Sequence, residues 1–567
     1  MSTPRELPVI VLVSEHHLDL LVDEFGRYTR DYAIRGVRSA AAAAEVLAEV
    51  QAAGGQVPLV VAESVLPDAH VLAAFHSWRA VMPTARRLVV AHSSRFRDDG
   101  QLLRDGLAKG KYDAFLLMPR GQRDEEFHNA VTELLSDWGS TAADPEVDTV
   151  RIVTPVDDTL SLAIRDFADR MGMPARTYSP DSETGRAVLA RVQRAEADLG
   201  FPVVEAMDRA PVVARSVRDV AISIYGAPSD IDVDSVIDLV VVGAGPAGLA
   251  AAVYGASEGL STVVLEAEAI GGQAGTSSMI RNYLGFPRGV SGMRLAQRAR
   301  SQAIRFGTRF LTGWPVTELV VGSGGVPHVV RTDGGDVAAR SVVIASGVSY
   351  RKLRVEPLEA LVGRGVFYGA AMTAARELED QDVYVVGGGN SAGQAAVHLS
   401  RFARSVTVLV RRDGLASTMS RYLIDEIHYN PRIAVRPCTE VVDGGGDGRL
   451  EWLTLRDTAS GASTRHEAAG LFLLLGADPH CDWLPTEVAR DSRGFVLTGR
   501  DVPKHSWRDG LPPGNLETTA PGIFAAGDIR AGSLKRVAAA TGEGASVVPL
   551  VHAWLQPGGM TPCSPTP

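Results

Sequence analysis

Cysteine is scarce in this sequence: only Cys438, Cys481 and Cys563 occur among 567 residues. No two of them form a CxxC pair. Their spacing excludes a disulfide framework and a cysteine-rich metal site, and it suits a reducing cytoplasm. The 13 histidines include no HExxH or other paired metal-ligand spacing, so we expect no metal centre.

The sequence also lacks a net positive charge and long apolar runs. The formal net charge is −10, which argues against a general nucleic-acid binder. The longest apolar run, Leu239 to Tyr254, is interrupted by three glycines and a proline, whereas a membrane-spanning helix needs about 20 apolar residues. The N-terminus lacks the features of a signal peptide. We therefore expect a cytoplasmic protein that binds neither nucleic acid nor membrane.

Glycine, in contrast, is plentiful, and it marks a first nucleotide-binding turn. An apolar strand leads into Gly243-Ala-Gly245-Pro246-Ala247-Gly248, which opens a helix. In such a turn, one glycine permits the tight bend, one admits the pyrophosphate and one lets helix pack on strand. Glu266 ends the next strand, 23 residues after Gly243, close to the ~20 expected for a ribose-binding acid. The pattern predicts a dinucleotide with a free ribose.

A second turn repeats the design around Gly387, Gly389, Asn390 and Ser391. Here the following strand ends at Arg411 and Arg412 instead of an acid. Two guanidiniums suit a ribose 2′-phosphate through charge-assisted hydrogen bonds, so this turn predicts NADPH. The alternative is that the two arginines form a solvated strand end.

Residues 236–555 resemble the thioredoxin-reductase family of flavoproteins. The resemblance lies in three segments: IGGQAGTSSMIRNYLGFP (270–287), VVIASGVSYRKL (342–353) and IFAAGDIRAGSLKRVAAATGEG (523–544). It implies FAD and NADPH as cofactors, hydride transfer from nicotinamide to flavin, and a homodimer. It also implies a discontinuous FAD-binding domain, 233–351 plus 474–555, with the NADPH-binding domain at 352–473.

The resemblance carries further site residues onto this sequence. In its FAD site, Asp528 would hold the ribityl chain and residues 535–537 would approach the isoalloxazine. The remaining predicted FAD contacts, beyond the first glycine turn and Glu266, are Gly272, Gln273, Asn282, Gly527, Arg536 and Val537.

One part of the family pattern is missing. Family members carry a CxxC dithiol shortly after a GRGV motif, whereas GRGVFYGAAM places Gly369 and Met372 at the two cysteine positions. Neither glycine nor a thioether can attack a disulfide. Cys563, on a tail (556–567) that we expect to be flexible, is the remaining candidate relay.

In dithiol-free relatives that reduce ferredoxin, a C-terminal aromatic residue stacks on the flavin. Trp554 is the candidate here, and burial at the domain edge is the alternative.

Two smaller modules precede this region. Residues 1–137 are similar to response-regulator receiver domains, a flavodoxin-like fold, but Glu63 replaces the phosphoacceptor aspartate and Ser14 replaces one acid of the metal-binding pair. We predict a pseudo-receiver, with an unrelated flavodoxin-like module as the alternative.

Residues 147–226 more loosely resemble a thioredoxin fold, with Pro202 as its cis-proline and Val156-Asp157-Asp158 in place of cysteines. Both modules would act in protein docking.

The sequence thus predicts an α/β protein with two Rossmann-like domains behind two degenerate modules. We expect an NADPH-dependent flavoprotein oxidoreductase without a dithiol, whose external acceptor is a ferredoxin-like protein, a quinone, a small molecule or oxygen. Two alternatives stay open: a flavin-binding sensor or scaffold without turnover, and a disulfide reductase that uses Cys563.

Overall fold

A computed structural model describes residues 7–121, 124–141, 148–156, 158–192, 200–207, 209–226, 236–277, 279–287, 289–369, 374–507 and 509–556. The chain forms two compact units. The first unit comprises 1–144, 374–446 and 451–471, and the second comprises 145–373, 447–450 and 472–567.

A parallel sheet forms the N-terminal part of the first unit. Its strands are β1 (Val9–Val13), β2 (Ala33–Val37), β3 (Leu59–Glu63), β4 (Arg86–Ala91) and β5 (Ala114–Leu117). The helices between and after them are α1 (Leu18–Phe25), α2 (Ala40–Ala52), α3 (Val71–Val81), α4 (Phe96–Ala108) and α5 (Glu125–Thr141). The strand order is β2-β1-β3-β4-β5. The central strands are apolar on both faces because helices cover both sides.

The second unit begins with a small mixed sheet. Its elements are β6 (Val150–Val153), α6 (Thr159–Arg170), β7 (Ala175–Tyr178), α7 (Glu183–Leu189), β8 (Val203–Ala206), β9 (Val212–Val213) and α8 (Val217–Tyr225). The strand order is β7-β6-β8-β9, with β7 parallel to β6 and the other pairs antiparallel. The Phe201–Pro202 peptide bond is cis, as predicted for this segment.

The first glycine turn lies in the large sheet of the same unit. The elements that follow are β10 (Ile237–Val242), α9 (Pro246–Ser257), β11 (Thr262–Glu266), α10 (Gly272–Gly275), α11 (Gly292–Arg305), β12 (Arg309–Thr312), β13 (Val316–Val320), β14 (His328–Thr332), β15 (Gly335–Ile344), β16 (Val348–Tyr350), α12 (Glu356–Glu359) and β17 (Val366–Tyr368). The sheet order is β12-β11-β10-β15-β14-β13. One hydrophobic core joins Ile152 and Ile164 of the small module to Val241 of β10 and to Ile270 in the loop after β11.

The second glycine turn belongs to the first unit. The chain continues with α13 (Ala374–Glu377), β18 (Asp382–Val386), α14 (Asn390–Leu399), β19 (Ser405–Leu409), α15 (Arg421–Tyr429), β20 (Ile433–Arg436), β21 (Thr439–Gly445), β22 (Trp452–Asp457), β23 (Ser463–Glu467) and β24 (Gly470–Leu473). Strands β18, β19 and β20 pair in parallel, and β21, β22 and β23 form an antiparallel sheet.

The chain then completes the second unit with β25 (Ala477–Pro479), β26 (Ile523–Ala525) and α16 (Val537–Leu555). Strand β26 pairs in parallel with β15, as β10 does on the other side of β15. The segment after β26 therefore leaves the sheet at the same end as the turn after β10. Within the described residues, no helix is long and apolar enough to cross a membrane.

A capping box begins helix α8. The Ser216 hydroxyl accepts a hydrogen bond from the Asp219 amide, and the Asp219 carboxylate accepts one from the Ser216 amide. We predict that Ser216→Ala costs about 1 kcal/mol and accelerates hydrogen exchange of the 217–225 amides about fivefold. Ser223→Ala is the control, because the Ser223 hydroxyl donates only to the Val220 carbonyl. Equal exchange in the two variants would contradict the capping role.

Candidate functional site

The first glycine turn joins β10 to α9 at the carboxyl edge of the parallel sheet. Gly243 has a φ of +106°, and a Cβ atom there would lie 2.4 Å from the Ala345 carbonyl oxygen. A Cβ at Gly248 would lie 1.8 Å from the Gly243 carbonyl oxygen. At Gly245, in contrast, a Cβ would meet no atom within 4 Å. The turn is therefore closely packed at Gly243 and Gly248 but open at Gly245. On this open side, the free N–H groups at the start of α9 favour a phosphate.

Glu266 is buried beside this turn. Its carboxylate accepts hydrogen bonds from the Ala244 amide at 2.6 Å and from the Glu268 amide at 2.9 Å. Burial raises the pKa of the Glu266 carboxyl, and the two amide bonds oppose this shift. The acid predicted from its spacing thus lies against the glycine turn, at the end of the neighbouring strand.

The 270–275 segment lies on the same turn. The Gly271 amide donates to the Ala244 carbonyl at 2.8 Å, and a Cβ at Gly272 would lie 3.2 Å from the Gly245 Cα. Gln273 follows in α10 and is exposed, and Asn282 is also exposed. The neighbouring Tyr283 hydroxyl donates to Thr541 of α16 at 3.4 Å, which connects this segment to the closing motif.

The closing motif packs on the start of α9. A Cβ at Gly527 would lie 2.8 Å from the Ala247 Cβ. Ala247 follows Pro246, the first residue of α9. Burial raises the pKa of the half-buried Asp528 carboxyl, and the nearby Lys535 ammonium opposes this shift. The structure therefore brings the Gly243–Gly248 turn, Glu266, Gly272 and Asp528 together. Arg536 and Val537 lie just beyond, at the N-terminal end of α16.

Two residues missed in the sequence hold this motif. The Glu543 carboxylate accepts a hydrogen bond from the Gly527 amide at 2.7 Å, and it accepts two from the Arg530 guanidinium at 3.1 and 2.6 Å. Arg530 also donates to the Thr498 hydroxyl at 3.1 Å. Glu543 lies on α16 in the GEG triplet, but no sequence spacing identifies its partner. The pair fixes the turn that carries Asp528.

The second glycine turn has the same open geometry. The Gly387 amide donates to the Leu409 carbonyl at 3.0 Å, and a Cβ at Gly389 would meet no atom within 4 Å. Asn390 and Ser391 begin α14, and the Asn390 side chain accepts a hydrogen bond from the Ser420 amide at 2.7 Å. The space above Gly389 is thus free for a second phosphate group.

Arg411 and Arg412 lie just beyond β19, and both are exposed. The Arg412 guanidinium donates to the Ser417 hydroxyl at 3.3 Å, inside the same loop. Both side chains are therefore accessible at the edge where a ribose 2′-phosphate would lie.

At the first missing cysteine position, Gly369 is buried and has a φ of +88°. Its amide donates to the Leu473 carbonyl at 3.1 Å. A Cβ there would lie 3.0 Å from the Tyr350 ring. The backbone therefore disfavours any residue with a side chain. Met372, at the second position, lies outside the described residues.

Trp554 does not lie near the Asp528 turn. Its indole N–H donates to the Arg340 carbonyl at 2.9 Å, and its ring packs against the core. Val537 and Trp554 lie at opposite ends of the 19-residue helix α16. Since each helical residue rises about 1.5 Å, they are about 26 Å apart along the axis. Within one chain, the structure therefore favours packing at the domain edge over stacking on the flavin.

The two glycines of the first turn give a matched pair of variants. We predict that Gly248→Ala lowers the thermal stability of the second unit by about 1–3 kcal/mol or more, because its methyl overlaps the Gly243 carbonyl. Gly245→Ala should fold normally but weaken dinucleotide binding at least about tenfold, because its methyl enters the open space where a phosphate approaches.

Thermal unfolding of the flavin-free proteins and dinucleotide titration separate these two effects. Gly245→Ala protein that binds as tightly as the wild type would contradict this position of the pyrophosphate.

Comparison with known proteins agrees with this geometry. Residues 237–544 match the model of the family described as pyridine nucleotide-disulphide oxidoreductase. The chain is 34% identical over 322 residues to a thioredoxin reductase of Mycolicibacterium smegmatis, covering 57% of this chain and 97% of that protein. It is 32% identical over 318 residues to a thioredoxin reductase of Peptoclostridium acidaminophilum, covering 55% and 95%.

Solved structures give the same result. The Lactococcus lactis thioredoxin reductase in its FR conformation is 27% identical, with a TM-score of 0.50 over 56% of this chain and 98% of that chain. The T. acidophilum thioredoxin reductase is 25% identical, with a TM-score of 0.51 and the same coverage. The fold is therefore α/β with two Rossmann-like domains for FAD and NADPH. The chain belongs to the pyridine nucleotide-disulphide oxidoreductase family and is an NADPH-dependent flavoprotein oxidoreductase with FAD as its second cofactor.

Proposed function

We propose that this oxidoreductase passes electrons from its flavin directly to an external acceptor, without a dithiol relay. The observation that carries the proposal is Gly369, whose left-handed backbone and close contact with the Tyr350 ring both disfavour a cysteine side chain. A single substitution would not restore the relay, because a dithiol needs two cysteines and Met372 stands at the second position. The usual reduction of thioredoxin would therefore fail.

The remaining cysteines support the proposal. Cys481 is buried, and burial raises the pKa of its thiol to about 11, so it carries almost no thiolate at neutral pH. Cys438 is half-buried, and both thiols are free. Since disulfide exchange requires a thiolate, Cys481 is poorly suited to it. Cys563 lies outside the described residues and remains the candidate of the competing disulfide-reductase hypothesis.

The charged residues and the first glycine turn each have a defined task in this proposal. When bound, FAD supplies the electron-transfer chemistry. Glu266 would accept hydrogen bonds from its ribose, and the open α9 N-terminus above Gly245 would bind its pyrophosphate. The Asp528 carboxylate would accept a hydrogen bond from the ribityl chain. Arg411 and Arg412 would select NADPH through its 2′-phosphate. A sensor or scaffold without turnover would have little use for these two arginines.

The acceptor remains one of four classes: a ferredoxin-like protein, a quinone, a small molecule or oxygen. We also retain the homodimer as a proposal, which light scattering tests directly. The predicted domain limits are likewise proposals.

For the N-terminal module we propose a pseudo-receiver that docks a partner. Its strand order, β2-β1-β3-β4-β5, is the flavodoxin-like order that receiver domains share. The Glu63 carboxylate is already engaged, because the Ser14 hydroxyl donates to it at 2.5 Å and the His17 ring lies 2.8 Å from it. Neither a metal ion nor a phosphoryl group would find a free carboxylate at Glu63.

For residues 147–226 we propose a thioredoxin-like module without redox activity. The order β7-β6-β8-β9 and the cis bond before Pro202 support this fold. At the redox loop, Val156 is exposed and Asp158 caps α6 by accepting from the Ser161 amide at 2.7 Å. Asp157 lies outside the described residues. No thiol stands at any of these three positions.

Cofactor selection is tested by replacing the two exposed arginines. We predict that Arg411→Ala/Arg412→Ala raises the KM for NADPH about 10- to 100-fold, the loss expected for charged hydrogen bonds to a phosphate. The KM for NADH should stay unchanged and serves as the internal control. Equal losses with both nucleotides would contradict selection through the 2′-phosphate.

The dithiol-free mechanism is tested by removing every thiol. We predict that Cys438→Ser/Cys481→Ser/Cys563→Ser oxidises NADPH with ferricyanide or a quinone at the wild-type rate. Neither protein should reduce thioredoxin, whereas a thioredoxin reductase with a CxxC dithiol serves as the positive control. Thioredoxin reduction by the wild type that disappears in the variant would establish a cysteine relay instead.

A further inference from the structure

The small module formed by residues 148–226 lies outside the matched region 237–544, yet it shares a hydrophobic core with the large sheet. In addition, two of its arginines donate to backbone carbonyls in loops of that sheet. Arg170, at the end of α6, reaches the loop after Glu266. Arg218, in α8, reaches the loop after β12. These two loops flank Glu266 on either side.

Arg170 contacts the loop that lies on the first glycine turn. Its guanidinium donates to the Ala269 carbonyl at 3.1 Å and to the Gly272 carbonyl at 3.5 Å. It also lies 3.6 Å from the Glu268 carboxylate and 3.8 Å from the Asp166 carboxylate. Its side chain is only 13% exposed. A guanidinium buried to this degree needs such partners, and two of them are carbonyls of the cofactor loop.

This loop is connected to the pyrophosphate turn by short hydrogen bonds. The Gly271 amide, between the two carbonyls that Arg170 contacts, donates to the Ala244 carbonyl at 2.8 Å. The Ala244 amide in turn donates to Glu266. Burial raises the pKa of the Glu266 carboxyl, and the two amide hydrogen bonds and, to a lesser degree, the positive charge of Arg170 oppose this shift. Arg170 is therefore one hydrogen-bonded step away from the turn and electrostatically coupled to the ribose-binding acid.

Arg218 contacts the second loop, the one that follows β12. Its guanidinium donates to the Gly313 carbonyl at 3.1 Å and lies 2.9 Å from the Asp333 carboxylate. The amides of Gly313 and Trp314 both donate to the Glu266 carbonyl, at 2.9 and 3.0 Å. The module thus fixes the backbone of Glu266 through one loop and its side-chain surroundings through the other.

We propose that the 148–226 module is an integral part of the FAD site, and that Arg170 is a positioning residue that holds the 268–272 loop against the glycine turn. The module then stabilises the bound cofactor instead of carrying electrons. The inference rests on the placement of FAD at the first glycine turn under the proposed function. Its ligand class is the adenosine half of FAD, the part that Glu266 would bind.

The test measures FAD affinity with the full-length protein. Flavin is removed, and the apoprotein is titrated with FAD while flavin fluorescence is followed. We expect Arg170→Met to raise the Kd about tenfold, the loss of a charged hydrogen bond. Arg186→Met is the matched control, because Arg186 donates to the Asp181 carbonyl within the module and should leave the Kd unchanged.

Two further readouts separate positioning from general instability. Arg170→Met should lower the thermal midpoint of the apoprotein, because the contacts of a largely buried guanidinium are lost, but its Kd for NADPH should equal that of the wild type. A Kd for NADPH that rises in parallel with the Kd for FAD would overturn the positioning role. If Arg170→Met does not fold, Arg170→Lys keeps the charge but loses the planar fork, and we expect a Kd about threefold above wild type.

Failure of this inference is distinguishable from failure of the proposed function. Wild-type apoprotein that does not bind FAD would overturn both. Wild-type protein that binds FAD, with Arg170→Met or Arg170→Lys binding it equally tightly, would overturn only the role of Arg170.

Discussion

The hydrogen bond from the Ala244 amide to the Glu266 carboxylate connects the two halves of the first nucleotide site. It links the glycine turn after β10 to Glu266 at the end of β11, so the turn and the acid proposed to bind the ribose keep one geometry. The close approach of Gly248 to the Gly243 carbonyl sets the position of α9 on the same turn. The loops 268–272 and 313–314 then attach to Glu266 or to the turn, and the closing motif packs on Ala247. Much of the second unit is arranged around this contact.

The left-handed backbone at Gly369 is the second constraint. The Tyr350 ring lies against this glycine, so both the φ and the local packing disfavour a side chain at the first cysteine position. Two glycine-rich turns are present in the sequence, while no CxxC pair follows the GRGV motif. This asymmetry is what supports the proposed electron transfer to an external acceptor.

The sequence predicted most of the local elements of the site, because glycine turns and strand ends obey short-range rules. Gly243, Gly248 and Glu266 lie together as their spacing required. The cis bond before Pro202 was also predicted correctly. Contacts between distant segments were not predictable: the Arg530–Glu543 pair depends on how α16 packs, and the Arg170 contact depends on how a separate module docks. The position of Trp554 was not predictable for the same reason, because it depends on how α16 packs, and Trp554 lies at the end of this helix that is far from the Asp528 turn.

The central claim is that NADPH reduces a flavin which then needs no thiol. The most direct measurement is anaerobic rapid mixing of the purified protein with NADPH and, separately, with NADH, following flavin absorbance. The account predicts fast bleaching with NADPH, much slower bleaching with NADH, and rapid reoxidation when a quinone or ferricyanide is added. A flavin that stays oxidised with both nucleotides would contradict the account and leave a flavin-binding sensor as the explanation.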